Sequence, residues 1–328
     1  MKKRKLGSQG LQVSELGLGC MGMSYAYHPV EEADSLKVLD RALELGINFF
    51  DTAEAYGPFK NEELLAKAFK GRRDRLVLAT KVAWKEGKAG PENLDGSPAA
   101  LQKAVEGCLS RLQTPVIDLL YLHRADPKVP IEESVGAMAQ LVKQGKVRYL
   151  GLSEVGPNTI RKAHAVHPIT CLQSEYSLWE TAIEDGILPV LRELGMGLVP
   201  FSPVGRGFLT GAIKSYEDLG PNDMRRNLPR FQGENFKENI KLVEEVTKLA
   251  KTRGATATQA ALAWLMNQGE DIVPIPGTTQ VKHLEENVAA CDIPFTSEDF
   301  RAIDGILEKF RVSGNRYNES MAKMVNKD

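Results

Sequence analysis

The chain has 328 residues, 42% of them hydrophobic and 26% charged, with 42 Lys and Arg against 43 Asp and Glu. This is an ordinary globular composition, in a chain long enough to bury a core without disulfide or metal staples. A net charge of −1 argues against nucleic acid or an acidic membrane surface as the main partner, and no run of about 18 apolar residues is present to span a bilayer.

Residues 2–15 predict a β-hairpin around Gly7–Gly10. Eight strand-then-helix units follow. The predicted strand and helix of each unit are 16–20 and 31–45, 47–51 and 61–70, 76–81 and 98–112, and 117–123 and 131–143. Then come 148–153 and 158–166, and 170–175 and 185–194. The strand at 197–202 precedes an irregular stretch and helices at 239–252 and 258–267, and a last unit pairs 272–275 with 281–289. An extra helix at 297–308 and a polar tail end the chain. The strands are short continuous apolar runs, as in parallel sheets buried on both faces. No linker divides the units, so residues 1–328 are expected to form a single (β/α)8 TIM barrel domain with an N-terminal β-hairpin. A doubly wound open sheet is the alternative.

Cys20, Cys108, Cys171 and Cys291 are scattered, each in an apolar run, and read as reduced core residues rather than a zinc or redox pair. The basic first ten residues lack an apolar segment, so no signal peptide is expected and the protein reads as cytoplasmic. Residues 17–22 match the GxGxxG pattern of dinucleotide-binding turns. The residues after Gly22 do not open a helix, however, so the hexapeptide reads as a strand end and loop at the barrel mouth.

In such a barrel the chemistry sits where strands pass into βα loops. Asp51, Lys81 and His123 end three successive strands, with Tyr56 shortly after the first. A buried lysine is rare unless paired, and Asp51 is the evident partner. A free tyrosine, with a pKa near 10, is a poor acid at pH 7. A neighbouring ammonium favours the phenolate and is expected to lower that value. Tyr56 then donates a proton to an oxygen gaining negative charge, and His123 orients that oxygen. This suits a carbonyl becoming an alkoxide by hydride addition. No side chain supplies hydride, so a nicotinamide cofactor is implied and no metal.

The stretch Asp51-Thr-Ala-Glu-Ala-Tyr56-Gly57, with Lys81 and His123, resembles the aldo-keto reductases. The similarity runs over nearly the whole chain, through residues 17–23, 145–153, 172–179, 202–207 and 274–278 with Glu286-Asn287. It is nearest to bacterial, fungal and plant members with His123-Arg124. The resemblance implies reduction of a small-molecule aldehyde or ketone, with Asp51, Tyr56, Lys81 and His123 as the catalytic tetrad.

It further implies that Ser153 and Gln173 bind the nicotinamide carboxamide. Phe201 takes the place of the usual stacking Tyr or Trp. The segment Ser202, Pro203, Val204, Gly205, Gly207 and Leu209 runs along the pyrophosphate, while Gly19, Met21, Ile275 and Gly277 line the cofactor's path. Thr278, Gln280, Glu286 and Asn287 lie near the adenosine. Tyr25, Trp84, Arg124, Trp179 and the C-terminal Arg316-Tyr317 are expected around the substrate.

The implied cofactor is NADPH, with NADH as the weaker candidate. Relatives commonly carry Lys or Arg just after the Gly-Thr pair, whereas this chain has Thr279 and Gln280 there. Compensation for a 2′-phosphate falls to Lys282, Arg206 or the arginines of 205–230. The irregular stretch 205–236 reads as a flap over the cofactor rather than a solvated loop. The alternative to an enzyme is a cofactor-sensing regulatory subunit on the same barrel, since the beta subunits of voltage-gated potassium channels resemble this family.

Overall fold

The structure is a computed structural model describing residues 1–326 and 328. The hairpin forms as β1 (Lys3–Leu6) and β2 (Leu11–Ser14), paired antiparallel. Alternation puts Leu6, Leu11 and Val13 on one face, and they pack against the side chains that fill the barrel. Ser8 N–H donates to Gly195 O at 2.8 Å, just before a barrel strand begins, so the hairpin plugs the N-terminal end.

Seven parallel strands follow in chain order: β3 (Leu18–Gly19), β4 (Phe49–Asp51), β5 (Val77–Val82), β6 (Ile117–Leu122), β7 (Val147–Ser153), β8 (Cys171–Glu175) and β9 (Gly197–Phe201). Helices cover them in sequence: α1 (Glu32–Glu44), α2 (Lys60–Ala68), α3 (Pro98–Arg111), α4 (Ile131–Lys143), α5 (Pro157–Val166) and α6 (Ile187–Glu193). Then come α7 (Gly233–Thr252), α8 (Ala257–Asn267), α9 (Val281–Ala289), α10 (Ser297–Lys309) and the short α11 (Glu319–Ala322).

The period-two alternation divides the core. Phe49, Ala79, Leu119, Tyr121, Cys171 and Val199 fill the barrel. Phe50, Leu78, Leu120, Leu150, Leu172 and Leu198 face the helices. Tyr121 occupies so much of the interior that a Cβ on Gly151 would lie 2.5 Å from its ring, which excludes any side chain there.

The eighth predicted strand, 272–275, occupies its barrel position without forming a full ladder. On one side Val273 N–H donates to Leu198 O at 2.9 Å and Ile275 N–H to Pro200 O at 3.0 Å. On the other, Gly17 and Gly19 N–H donate to Pro274 O and Pro276 O at 2.9 and 3.3 Å. Pro274 and Pro276 have no N–H to return, so only one bridge forms, Leu198 with Ile272, and the barrel is nearly closed. Gly19 is needed at this seam, because a Cβ there would sit 2.8 Å from Ile275 O.

Two other expectations are revised. Helix α7 starts at Gly233, ahead of the predicted 239, because Phe236 already packs into the core and Asn239 Nδ2 ties the helix to Arg230 O and Ser313 O. The polar tail contains α11, capped by Asn318, and ends against β7: Gly156 N–H donates to Asn326 Oδ1 and Asn326 N–H to Glu154 O.

Arg4, on β1, donates from Nη1 to the carbonyls of Met266, Gly269 and Ile272 at 3.0, 2.8 and 2.8 Å, anchoring the entry of the closing segment. Arg4→Met strands buried carbonyls and is expected to lower unfolding stability by about 2–3 kcal/mol. Urea denaturation would show this as a fall in midpoint at unchanged slope.

Candidate active site

Asp51, Lys81, His123, Gln173 and Phe201 each stand two residues beyond a side chain that fills the barrel: Phe49, Ala79, Tyr121, Cys171 and Val199. They share that inward parity at the C-terminal end, where the core gives way to the mouth. Ser153 has the same place on β7, opposite Gln173 in the β7–β8 register.

Tyr56 is delivered by the turn after β4. Thr52 Oγ1 donates to Asn61 Oδ1 at 2.6 Å, and Asn61 Nδ2 donates to Cys20 O at 2.9 Å, so the first turn of α2 pins the loop on both sides. Lys81 is fully buried. Its ammonium donates to Asp51 Oδ1, to Thr52 O at 2.8 Å and to Tyr56 OH at 3.1 Å, which uses all three N–H bonds. Asp51 Oδ2 accepts from Gln173 Nε2 at 2.7 Å. The Tyr56 and His123 rings meet edge to face, 6.0 Å between centroids.

Burial, the largest single influence, pulls the Lys81 ammonium toward its neutral form, but Asp51 and Tyr56 together outweigh this and hold it above the ordinary lysine value. Tyr56 departs from expectation. Its pKa is raised, because burial and the Asp51 charge oppose the phenolate more than Lys81 favours it. The phenol is therefore protonated at neutral pH. His123 is driven well below the ordinary imidazole value, first by burial and then by the charges of Arg124 and Lys81, so it is neutral at pH 7.

Ser153 Oγ accepts from Arg124 Nη1 at 3.0 Å, and that guanidinium also donates to His123 O at 2.6 Å. The Ser153 hydroxyl proton and the Gln173 amide oxygen have no partner among the described residues. Side by side they offer one donor and one acceptor, which matches a primary carboxamide, with the half-buried ring of Phe201 on the next strand. The residues present thus fit a nicotinamide.

Other expected site residues are placed differently. Trp179 and Leu209 are buried, and Trp179 stacks on Phe208 at 4.3 Å with Phe231 edge-on. Gly205 packs on Trp179, with Pro203 and Val204 leading into that turn and Gly207 beyond it, where Arg225 Nη1 donates to Arg206 O at 2.8 Å. Ser202 has φ +50°. Met21 opens a short turn, and Tyr25 is exposed on the loop after it. Ile275 and Gly277 lie on the closing segment. Thr278 and Gln280 bond to one another ahead of α9, Glu286 accepts from Thr256 Oγ1 and Asn287 is buried in that helix. No contact joins this last group to the tetrad among the described residues.

The 205–236 stretch is built from short 3₁₀ turns and is tied down. Arg230 binds Trp179 O and Glu180, and Met224 N–H bonds to Ala26 O across from the β3 loop. Arg206 pairs with Glu175 at 3.3 Å, and Arg316 pairs with Glu154. Sequence reasoning missed Glu54, Glu154 and Glu175, which hold groups around the mouth. Glu54 lies inside the Asp51–Tyr56 stretch, and Glu154 and Glu175 each end or follow a strand, so position alone marked them.

The comparisons with known proteins point to one family. The model of the Aldo/keto reductase family matches residues 15–308. A Glycine max protein named "Probable aldo-keto reductase 1" is 46% identical over 315 residues, covering 95% of this chain and 91% of that one. Glycerol dehydrogenase AKR11B4 from Gluconobacter oxydans superposes with a TM-score of 0.85 at 28% identity, covering 95% of this chain and 97% of that one. Aldo-keto reductase AKR11C1 from Bacillus halodurans, in its holo form, gives 0.78 at 32% identity, with 98% and 99% covered. Fold and site define an NAD(P)H-dependent oxidoreductase acting on carbonyl groups. The chain belongs to the aldo/keto reductase family.

His123 is expected to remain neutral at pH 6.0, about half a unit below the ordinary histidine value near 6.5, in an NMR histidine titration. The unfolded chain takes up that proton more readily, so this residue makes stability fall as pH drops below about 6.5.

Proposed function

We propose that the protein reduces aldehydes or ketones to alcohols with NADPH, Tyr56 serving as the general acid. The observation that carries this reading is the Lys81 ammonium held between Asp51 and Tyr56 OH, 3.1 Å from the phenol oxygen. The bound cofactor supplies hydride to the carbonyl carbon. Tyr56 gives its proton to the carbonyl oxygen, and Lys81 stabilises the phenolate left behind. His123 donates a hydrogen bond to the same oxygen and orients it. Asp51 keeps the ammonium charged and aimed, while Gln173 holds the other carboxylate oxygen. Ser153 and Gln173 would hold the carboxamide, and Phe201 would lie against the ring. Free cysteines, three of them buried, fit a reducing cytoplasmic setting.

The preference for NADPH rests on Lys282. Arg206, Arg225 and Arg230 already pair with Glu175, Asp223 and Glu180. Lys282, in the first turn of α9, makes no ion pair among the described residues and sits at a helix N-terminus without a side-chain cap. Both features favour a phosphate.

NADPH oxidation with a nitrobenzaldehyde or a dicarbonyl tests the reading. Tyr56→Phe is expected to lower kcat by roughly 10²–10⁴-fold with cofactor binding intact. Equal rates in the two proteins would remove the assigned acid. Tight cofactor binding without turnover across a wide carbonyl panel would point to a sensing subunit instead. Lys282→Met is expected to raise KM for NADPH about tenfold and leave NADH unchanged, from the loss of one charge-assisted contact.

A further inference from the structure

The strand that carries Lys81 does not stop at it. Strand β5 ends at Val82, and Ala83 has φ +125°, a region where residues with a side chain are rarely found. This kink sends Trp84 back across the mouth toward the end of β6. There its indole Nε1 lies 2.9 Å from His123 Nδ1, with the rings edge to face at 5.6 Å. Trp84 is 5% exposed.

An indole N–H can only donate. The His123 Nδ1 that receives it is therefore unprotonated, and a neutral imidazole with a bare Nδ1 carries its hydrogen on Nε2. A protonated imidazolium would set N–H against N–H at this contact. Trp84 thus selects both the neutral form and one of its two tautomers. That tautomer leaves Nε2–H as a donor, which a carbonyl oxygen beside Tyr56 requires.

Glu54 explains how Trp84 is held. Its carboxylate is 2% exposed, and Oε1 accepts the N–H groups of both Ala83 and Trp84, at 3.1 and 3.0 Å. Its own N–H donates to Lys81 O at 3.2 Å. Burial pushes the Glu54 carboxyl up to about 7 against these two bonds, and the acceptor role survives protonation of its other oxygen. The turn after β4 therefore grips the end of β5 twice, Asp51 by the lysine side chain and Glu54 by the backbone beyond it.

We infer that Trp84 is a positioning residue whose indole N–H fixes His123 in the Nε2–H tautomer, and that Glu54 positions Trp84 by clamping the backbone at Ala83 and Trp84. The role for His123 rests on the carbonyl-reducing reading above, whereas the tautomer itself does not.

The test is a two-dimensional ¹⁵N–¹H spectrum of histidine-labelled full-length protein, with His123 assigned by comparison with His123→Asn. Wild type is expected to show a bare Nδ1 and a protonated Nε2. Trp84→Phe keeps the ring but removes the donor. It is expected to show averaged nitrogen shifts from mixed tautomers, with kcat lower by on the order of tenfold, short of the roughly 10²–10³ lost when a whole oxyanion donor is deleted. Its KM for the cofactor stays at the wild-type value. Glu54→Ala is expected to follow Trp84→Phe in both readouts, while Glu54→Gln, which keeps a carbonyl acceptor, restores the wild-type pattern.

A protonated Nδ1 in wild type overturns the inference without any variant. A wild-type nitrogen pattern in Trp84→Phe overturns it whatever the rate. Wild-type nitrogen shifts in Glu54→Ala overturn the clamp. If Tyr56→Phe retains full activity, the reading of the reaction fails while the spectrum still decides the tautomer.

Discussion

A lysine ammonium with no exposed surface needs an acceptor for every N–H, and Lys81 sets the shape of the mouth by finding three. An uncompensated buried charge is among the costliest defects a fold can carry, so the groups that answer it are fixed with it. Asp51 comes from the neighbouring strand, the Thr52 carbonyl from the turn after it, and Tyr56 from the far end of the same turn. The Gln173 amide then holds the second Asp51 oxygen from the opposite side of the barrel. The phenol is placed by its part in this compensation, and burial keeps it protonated.

Much of this was legible in the chain. Eight apolar runs spaced by helical patterns specify a barrel, and parity along each run puts Asp51, Lys81 and His123 on the interior side. What escaped had physical reasons. The closing strand at 272–275 reads as a strand by its apolar residues, yet Pro274 and Pro276 withhold the donors that would complete a ladder. The shift of Tyr56 was misjudged because a sequence shows the cation but not the depth of burial, and here burial wins. The contacts of Trp179 were not legible either: Phe208 and Phe231, far along the chain in the 205–236 segment, pack against its ring.

That segment also shows how charge is distributed at the mouth. Its arginines suggested a site for a cofactor phosphate, but three pair with carboxylates and the fourth, Arg226, donates to Leu219 O at 2.7 Å. Arg206 lies against Glu175 and within 5.7 Å of the Tyr317 ring, Arg225 against Asp223, and Arg230 against Glu180. Arg316 completes the set by pairing with Glu154, which joins the C-terminal tail to the end of β7. These pairs are largely buried, and such pairs specify one arrangement more than they stabilise it. Here they weld the segment after β9 and the tail to strand ends that carry Ser153 and Gln173.

The consequence concerns where the mouth can adapt. Displacing the tail or the 205–236 segment would take Arg316 or Arg206 away from a buried carboxylate, Glu154 or Glu175. The loop around Tyr25 is more exposed: Tyr25 is 44% exposed, and its neighbours touch the segment through Met224 N–H to Ala26 O, the stacking of Arg225 on Tyr27 and the hydrogen bond from Arg206 to Tyr27. The carboxylate-anchored strand ends form a constrained floor, and the loop around Tyr25 is the more exposed part of the rim. The acid, the cation and the imidazole's partners meet through the single turn after β4, and Ser24, at the start of the outer loop, is tied to that turn by accepting from Asn61 Nδ2 at 2.7 Å.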